Sequence, residues 1–267
     1  MKETKSYDEY MAVAELYDHV VPYRERGDVD FFVDAAKETG GPVLEVGCGT
    51  GRVLIPTARA GIEITGLDLS PHMLAVCREK LKAEPPEVRA RVRLVEGDMR
   101  RFELDQTFEL LTLPFRPFQH LTTLEQQLAC LGCLRRHLAV GGKLILDIFN
   151  PSLESLVRKN FGEEISDEPE FVMPDGRKVI RRSKVVSRDV ANQINYVELI
   201  CYVTHPDGHQ ERLVQAFPMR YLFRFEAEHL LTRAGFRVEQ LYADYDKSPY
   251  GSKYPGELIF VAGKLKD

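Results

Sequence analysis

No run of apolar residues in this chain approaches the ~18 needed to cross a bilayer as a helix. The opening stretch, Met1-Lys2-Glu3-Thr4-Lys5-Ser6-Tyr7-Asp8, lacks the apolar core of a secretion signal. Cysteine is sparse and odd in number: Cys48, Cys77, Cys130, Cys133 and Cys201. Cysteines scattered in this way do not make the disulfide framework of a secreted domain. Basic residues are in deficit, with 36 Lys and Arg against 41 Asp and Glu, a formal charge of −5. That balance gives no broad attraction to nucleic acid or to membranes, although a local basic patch remains compatible with it. The expectation is a reduced, cytoplasmic protein without a nucleic-acid or membrane partner. Its 267 residues suffice for one large domain, or one domain with an insert, and for a core that needs no disulfide or structural metal.

What is present is an alternation of short apolar runs and helical patterns. Residues 1–40 read as polar and helical, with Asp28 as a helix cap and Phe31, Phe32 and Ala35 on the apolar side. Pro42–Val46, Glu63–Leu67, Val92–Glu96, Phe108–Leu113 and Lys143–Phe149 read as five strands, the first of them buried. Between them, Ser70-Pro71 opens one helix, and Leu124, Leu128, Leu131 and Leu138 stripe another. Such alternation implies βαβ units and a largely parallel sheet, with ligands at the strand C-termini. Residues 151–222 break the rhythm with three longer strand-like runs and the turns Pro174-Asp175-Gly176 and Pro206-Asp207-Gly208. These suggest an antiparallel sheet inserted into the α/β domain. A helix near Glu226–Ala234, a strand from Phe236 and a last strand Glu257–Val261 complete the pattern. The expected division is therefore 1–40 as a helical lid, 41–150 with 223–267 as the ligand-binding α/β domain, and 151–222 as the insert.

The chemistry is concentrated at the first strand-to-helix turn, Glu45-Val46-Gly47-Cys48-Gly49-Thr50-Gly51-Arg52. Glycines permit a tight turn and close approach of a ligand to the backbone. The helix start that follows offers free N–H groups and partial positive charge, which suit a carboxylate or a phosphate. Asp68 ends the second strand, where a carboxylate can accept both hydroxyls of a ribose. Together these features indicate an adenosine-containing ligand. The dinucleotide fingerprint Gly-x-Gly-x-x-Gly is not met, because Arg52 occupies its sixth position, and no Gly-Lys-Ser/Thr makes a phosphate loop.

With Gly-x-Gly-x-Gly spacing and Glu45 two residues ahead, the sequence resembles the class I S-adenosylmethionine-dependent methyltransferases. The resemblance continues through Gly66-Leu67-Asp68-Leu69-Ser70-Pro71-His72-Met73 and Glu96-Gly97-Asp98-Met99, and covers most of the chain outside the insert. It implies a seven-stranded, mostly parallel Rossmann-like α/β sheet of order 3-2-1-4-5-7-6, with Glu257–Val261 as antiparallel strand 7. It implies that Glu45, Gly47, Cys48 and Gly49 line the cofactor turn and that Asp68 holds the ribose. Leu69 and Met73 would lie beside the adenine, Asp98 would accept its amino group, and the Met99 backbone would touch the ring. Leu113 would lie beneath the methionine portion. The N-terminal tyrosines are similar to those of small-molecule members with a helical lid, which makes Tyr17 the candidate for the cofactor's methionyl end. A sheet inserted after strand 5 is similar in layout to glycine and amino-sugar N-methyltransferases.

The resemblance implies transfer of a methyl group by in-line displacement to N or O of a small molecule, leaving S-adenosylhomocysteine. An amine acceptor needs only to be neutral, whereas a hydroxyl needs a base in reach. His120, in the loop after the fourth strand, is the candidate catalytic base; the alternative is a loop histidine beside the Thr122/Thr123 helix cap. Cys130-x-x-Cys133 lies inside a leucine-striped helix and reads as core rather than zinc ligand. Asp147 and Asn150 resemble part of the metal site of catechol-type O-methyltransferases, but the Asp that such a site needs near the fourth strand is replaced by Leu113-Pro114, so no metal is expected. Arg177, Lys178, Arg181, Arg182 and Lys184 read as a solvated face, or else as a receiver of an anionic group. The insert could form a lid or the interface of a homodimer. Two other readings are a non-catalytic S-adenosylmethionine-binding protein and a nucleotide-dependent oxidoreductase.

Overall fold

A computed structural model describes residues 14–20, 23, 26–157, 162–165 and 168–265. The chain divides into two compact units. One comprises residues 1–26 and 157–220, the other 27–156 and 221–267.

The larger unit is an α/β layer structure. Its elements are α1 (Asp28–Thr39), β1 (Val43–Val46), α2 (Leu54–Arg59), β2 (Ile64–Asp68), α3 (Pro71–Lys82), α4 (Pro86–Arg89) and β3 (Val92–Glu96). Then come β4 (Phe108–Leu113), a 3-10 turn (Pro117–His120), α5 (Leu124–His137), β5 (Leu138–Phe149) and α6, which begins at Leu153. The four strands of the smaller unit intervene: β6 (Phe171–Val172), β7 (Lys178–Asp189), β8 (Ile194–Thr204) and β9 (Gln210–Arg220). The larger unit resumes with α7 (Arg224–Arg233), β10 (Phe236–Tyr242) and β11 (Glu257–Lys264).

The seven-stranded sheet runs β3-β2-β1-β4-β5-β11-β10. β11 is antiparallel to both β5 and β10, and the β3-β2-β1-β4-β5 pairs are parallel. This is the expected order with the expected reversed strand. Side chains alternate between two buried faces, as the two-residue strand period requires. Leu44, Val46, Leu111, Leu113, Leu144, Leu146, Ile148, Leu258 and Phe260 pack with Leu131, Leu134 and Leu231 from α5 and α7. Val43, Leu110, Ile145 and Ile259 pack with Phe31, Phe32, Leu54 and Leu74 from α1, α2 and α3. By the same alternation Glu45 and Asp147 belong to the second face, so two carboxylates enter a layer that is otherwise apolar.

Three local expectations change. Leu138 opens β5 instead of ending α5, whose last residue is His137. α1 does not belong with an N-terminal segment of 40 residues; Phe31 and Phe32 are buried against the sheet, which sets the unit boundary at 26/27. Asp28 does not cap that helix, because the N-cap is Gly27 and no side chain closes the end. Ser70 does cap α3, accepting a hydrogen bond from the Met73 N–H, with Pro71 at the first helical position.

The smaller unit is a four-stranded antiparallel sheet of order β6-β7-β8-β9. Val179, Cys201 and Val203 form its apolar underside with Leu16, Val20, Phe171 and Met173. Each Pro-Asp-Gly sequence makes the expected turn, with Gly176 and Gly208 at φ 86° and 88° and the Asp175 and Asp207 carboxylates accepting the N–H two residues on. Three residues of the basic run have acidic partners inside this unit. Arg177 meets Glu15 and Asp175, Arg181 meets Glu168, and Lys184 meets Glu198.

Candidate active site

β1 stops at Val46 because the next turn needs conformations that side chains resist. Gly47, Gly49 and Gly51 have φ of 76°, 54° and 80°. The turn is also tightly enclosed on two sides. A Cβ on Gly47 would lie 2.7 Å from the Pro117 Cβ, and one on Gly51 would lie 2.6 Å from the Cys77 sulfur. At Gly49 a Cβ would meet nothing within 4 Å. The turn is therefore closed by protein at its outer glycines and open at its middle one, as a ligand approaching the backbone requires.

Asp68, at the end of β2, braces this opening. Its Oδ2 accepts the Gly49 N–H at 2.7 Å and its Oδ1 accepts the Ser70 N–H at 2.8 Å. Burial pushes the carboxyl's pKa up, while these backbone bonds pull it down. Each oxygen still has acceptor capacity for a hydroxyl. Glu45 is 2% exposed, and its Oε2 has no hydrogen-bond partner among the described residues. Burial pushes its pKa up to about 8, opposed by Arg52 and reinforced by Asp28 and Asp68. Cys48 is buried, and burial holds its thiol well above the usual range, so it fills the turn as a neutral side chain.

The adenine side is less open than the sequence suggests. Asp98 accepts from the Arg100 backbone N–H at 2.9 Å and from its guanidinium Nη2 at 2.6 Å. Those contacts hold the carboxyl below the usual carboxylate range. An adenine amino group would have to share this acceptor or displace the Arg100 side chain, which is 38% exposed. Met73 is buried, Met99 is partly buried against the core, and Leu69 is exposed. Leu113 is fully buried at the end of β4, so it supports the loop that follows.

That loop is the feature sequence reasoning missed. Phe115 and Arg116 are consecutive non-glycine residues at φ 62° and 71°. The Phe115 N–H donates to Asp147 Oδ2 at 3.0 Å, and the Arg116 Nη2 donates to Glu257 at 2.7 and 2.8 Å. The Arg52 guanidinium lies 5.4 Å from the centre of the Phe115 ring and donates to both oxygens of buried Asp28 at 2.6 Å. Pro117 packs on Gly47, as the crowding there shows. Local sequence signals neither the left-handed backbone nor its anchors, which come from residues far along the chain.

The other candidates have ordinary partners. His120 ends the 3-10 turn and is exposed. The cap of α5 is completed by Thr123 and Gln126. Tyr17 belongs to the smaller unit, where its ring packs 4.9 Å from that of Tyr23. Asp147 also accepts from the Tyr245 hydroxyl at 2.7 Å, and Asn150 donates to the Pro255 carbonyl. Among the described residues no group of three or more His, Cys, Asp or Glu is arranged to hold a metal ion. Cys130 and Cys133 are buried in α5. Among the described residues no helix is long and apolar enough to cross a membrane.

Residues 43–142, from the start of β1 into β5, match the methyltransferase-domain family model. The protein is an S-adenosylmethionine-dependent methyltransferase. The methyltransferase is 24% identical over 265 residues to a putative methyltransferase, YqeM, of Bacillus subtilis, covering 96% of this chain and 98% of that one. It is 27% identical over 220 residues to dTDP-3-amino-3,4,6-trideoxy-alpha-D-glucopyranose N,N-dimethyltransferase of Streptomyces venezuelae, covering 81% and 84%. Among solved structures it resembles CalS10, an amino pentose methyltransferase from Micromonospora echinaspora, solved with S-adenosylmethionine bound. That match has TM-score 0.67 and 26% identity and covers 99% and 100% of the two chains. The donor set of the methyltransferase fits this cofactor: an open glycine, a carboxylate braced on it, and, two residues before the turn, a buried carboxyl oxygen without a partner among the described residues.

Proposed function

We propose that the methyltransferase acts on the nitrogen of a small-molecule amine, with an amino group borne on a sugar as the acceptor class. The similarity to the Streptomyces venezuelae amino-sugar dimethyltransferase over 81% of this chain carries the reading, since it runs well beyond the cofactor half. The antiparallel insert is part of the same layout. When bound, the cofactor supplies a methyl group on a positively charged sulfur that an in-line nucleophile displaces. The chain's task is to orient and to exclude water, holding reacting atoms ~3–3.5 Å apart. In this reading Asp68 binds the ribose hydroxyls, and Leu69, Met73, Asp98 and Met99 enclose the adenine. Glu45, Gly47, Cys48 and Gly49 form the turn, Leu113 supports the methionyl end, and Tyr17 covers it. His120 takes the proton released when a neutral amine becomes alkylated. The N-terminal segment and insert close over the acceptor, and the insert also serves a homodimer. The enzyme works in the cytoplasm on small molecules and not on nucleic acid.

The test has two stages. A thermal-shift comparison of S-adenosylhomocysteine with NADH checks the cofactor: a ligand at ~100 times its dissociation constant adds about 2.7 kcal/mol. Methyl transfer is then followed by mass spectrometry on parallel panels of amino sugars and of sugars with hydroxyls only. Transfer to hydroxyls alone would overturn the nitrogen assignment, and a shift with NADH alone would overturn the cofactor.

A further inference from the structure

The loop after β4 is held in a costly conformation from several directions at once. Consecutive left-handed residues without glycine are unfavourable and persist only where surroundings impose them. Here the impositions come from separate elements. Asp147 on β5 takes the Phe115 N–H, and Glu257 on β11 takes the Arg116 guanidinium. Arg52, just past the glycine turn, lies against the Phe115 ring. Tyr245, from the β10–β11 connection, donates to the same Asp147 oxygen as Phe115 does.

These contacts close a circuit. The Tyr245 ring meets Phe31 at 5.8 Å and Phe32 at 6.4 Å, both on α1. α1 begins at Asp28, which grips Arg52. Arg52 returns to Phe115. The circuit joins the glycine turn to the β4 loop without using a residue expected to touch adenosine.

The strand order gives this circuit its meaning. From β3 through β2 and β1 to β4 the sheet presents Asp98, Asp68, the glycine turn and then the Phe115 loop. Three strand spacings of ~4.8 Å separate the ends of that row. A cofactor whose adenine lies at β3 and ribose at β2 sends its amino-acid arm over β1 toward β4. The geometry points to Asp147, Tyr245 and Glu257 as positioning residues that fix the Phe115–Arg116 backbone as a preformed rest for the amino-acid arm of the cofactor. They act through the loop and touch no reacting atom. The inference rests on the cofactor reading above and deepens it.

The test separates the arm from the adenosine. S-adenosylhomocysteine has both, whereas 5′-methylthioadenosine lacks the amino-acid end. Affinities for both are measured by calorimetry on the full chain for the wild type, Tyr245→Phe and Glu257→Gln. Tyr245→Phe keeps the ring on α1 and removes one hydroxyl. Either variant is expected to weaken S-adenosylhomocysteine about tenfold, with 5′-methylthioadenosine unchanged within about twofold. Asp147→Asn, whose amide oxygen can still accept the Phe115 N–H, should lose less than Asp147→Ala. Equal losses for the two ligands, or no loss for either, would overturn the inference while the wild type still binds both. A wild type that binds neither ligand would overturn the cofactor reading, and the inference with it.

Discussion

Glu45→Gln tests the electrostatics of the turn without touching its shape. Burial is the largest influence on this carboxyl and lifts its pKa from 4.5 to about 8. Between those values the folded protein keeps a proton that the unfolded chain has released. The folded state then binds more protons, so stability falls as pH rises. The contribution is intact below pH 4.5, is lost progressively, and is gone above pH 8. At 1.36 kcal/mol per pH unit the span comes to roughly 5 kcal/mol. Glutamine fills the same space and does not titrate, but its amide leaves a donor without a partner, at a cost of ~1–3 kcal/mol. The variant should therefore be equal to or slightly less stable than the wild type at pH 5, and about 2–4 kcal/mol more stable at pH 8.5. Urea denaturation of both proteins at several pH values, without ligand, reads this directly. Groups that titrate alike in both cancel in the difference, which should climb by about 1.4 kcal/mol per pH unit through the window. A difference that stays flat from pH 5 to 8.5 would show that Glu45 is ionised in the folded state, and the argument from its burial would fail.

Four further outcomes follow from the site. Asp68→Ala should weaken S-adenosylhomocysteine binding at least about tenfold by calorimetry, since it removes both the ribose acceptor and the brace on Gly49. Gly47→Ala adds a Cβ 2.7 Å from Pro117 at a positive φ, so chemical denaturation should show a loss of about 2 kcal/mol or more together with weaker cofactor binding. Arg52→Ala strips the two-bond partner from buried Asp28, and a denaturant midpoint should report roughly 3 kcal/mol of destabilisation. Arg100→Ala takes the guanidinium off Asp98 while leaving the backbone N–H bond and Arg101 in place, and removing a part-exposed ion pair worth ~1 kcal/mol should tighten S-adenosylhomocysteine about fivefold. Unchanged affinity in that last variant would mean the adenine does not compete for Asp98.

The parts of this protein that sequence reveals are those encoded over a few residues. Val43-Leu44-Glu45-Val46 followed by spaced glycines is a buried strand entering a ligand turn, because period and composition both act locally. The Ser70-Pro71 helix start and both Pro-Asp-Gly turns are of the same kind. The sheet order needed more, and came from resemblance rather than from pattern. Errors gathered where a local signal was real but answered a different need. Asp28 has the chemistry of a helix cap, yet a guanidinium 24 residues away claims it. Leu138 continues a leucine stripe, yet the chain has already turned into β5.

What stayed hidden is the set of long-range anchors, and physics explains both their invisibility and their number. A left-handed Phe115-Arg116 pair is not favoured by its own side chains, so no propensity announces it. It exists because Asp147, Glu257 and Arg52 converge on it from 32, 141 and 63 positions away. Each anchor must offset part of the backbone cost, which is why one would not suffice. The same reasoning makes α1 part of the catalytic unit. Without Phe31 and Phe32 beneath Tyr245, and Asp28 on Arg52, two of the loop's restraints would lose their backing. A truncation that removes residues before Val43 should therefore cost more than a lid. It should loosen the β4 loop and weaken S-adenosylhomocysteine more than a truncation of residues 1–26 does, because the shorter cut removes Tyr17 and leaves α1 against Tyr245 and Arg52; equal losses from the two truncations would refute the reasoning.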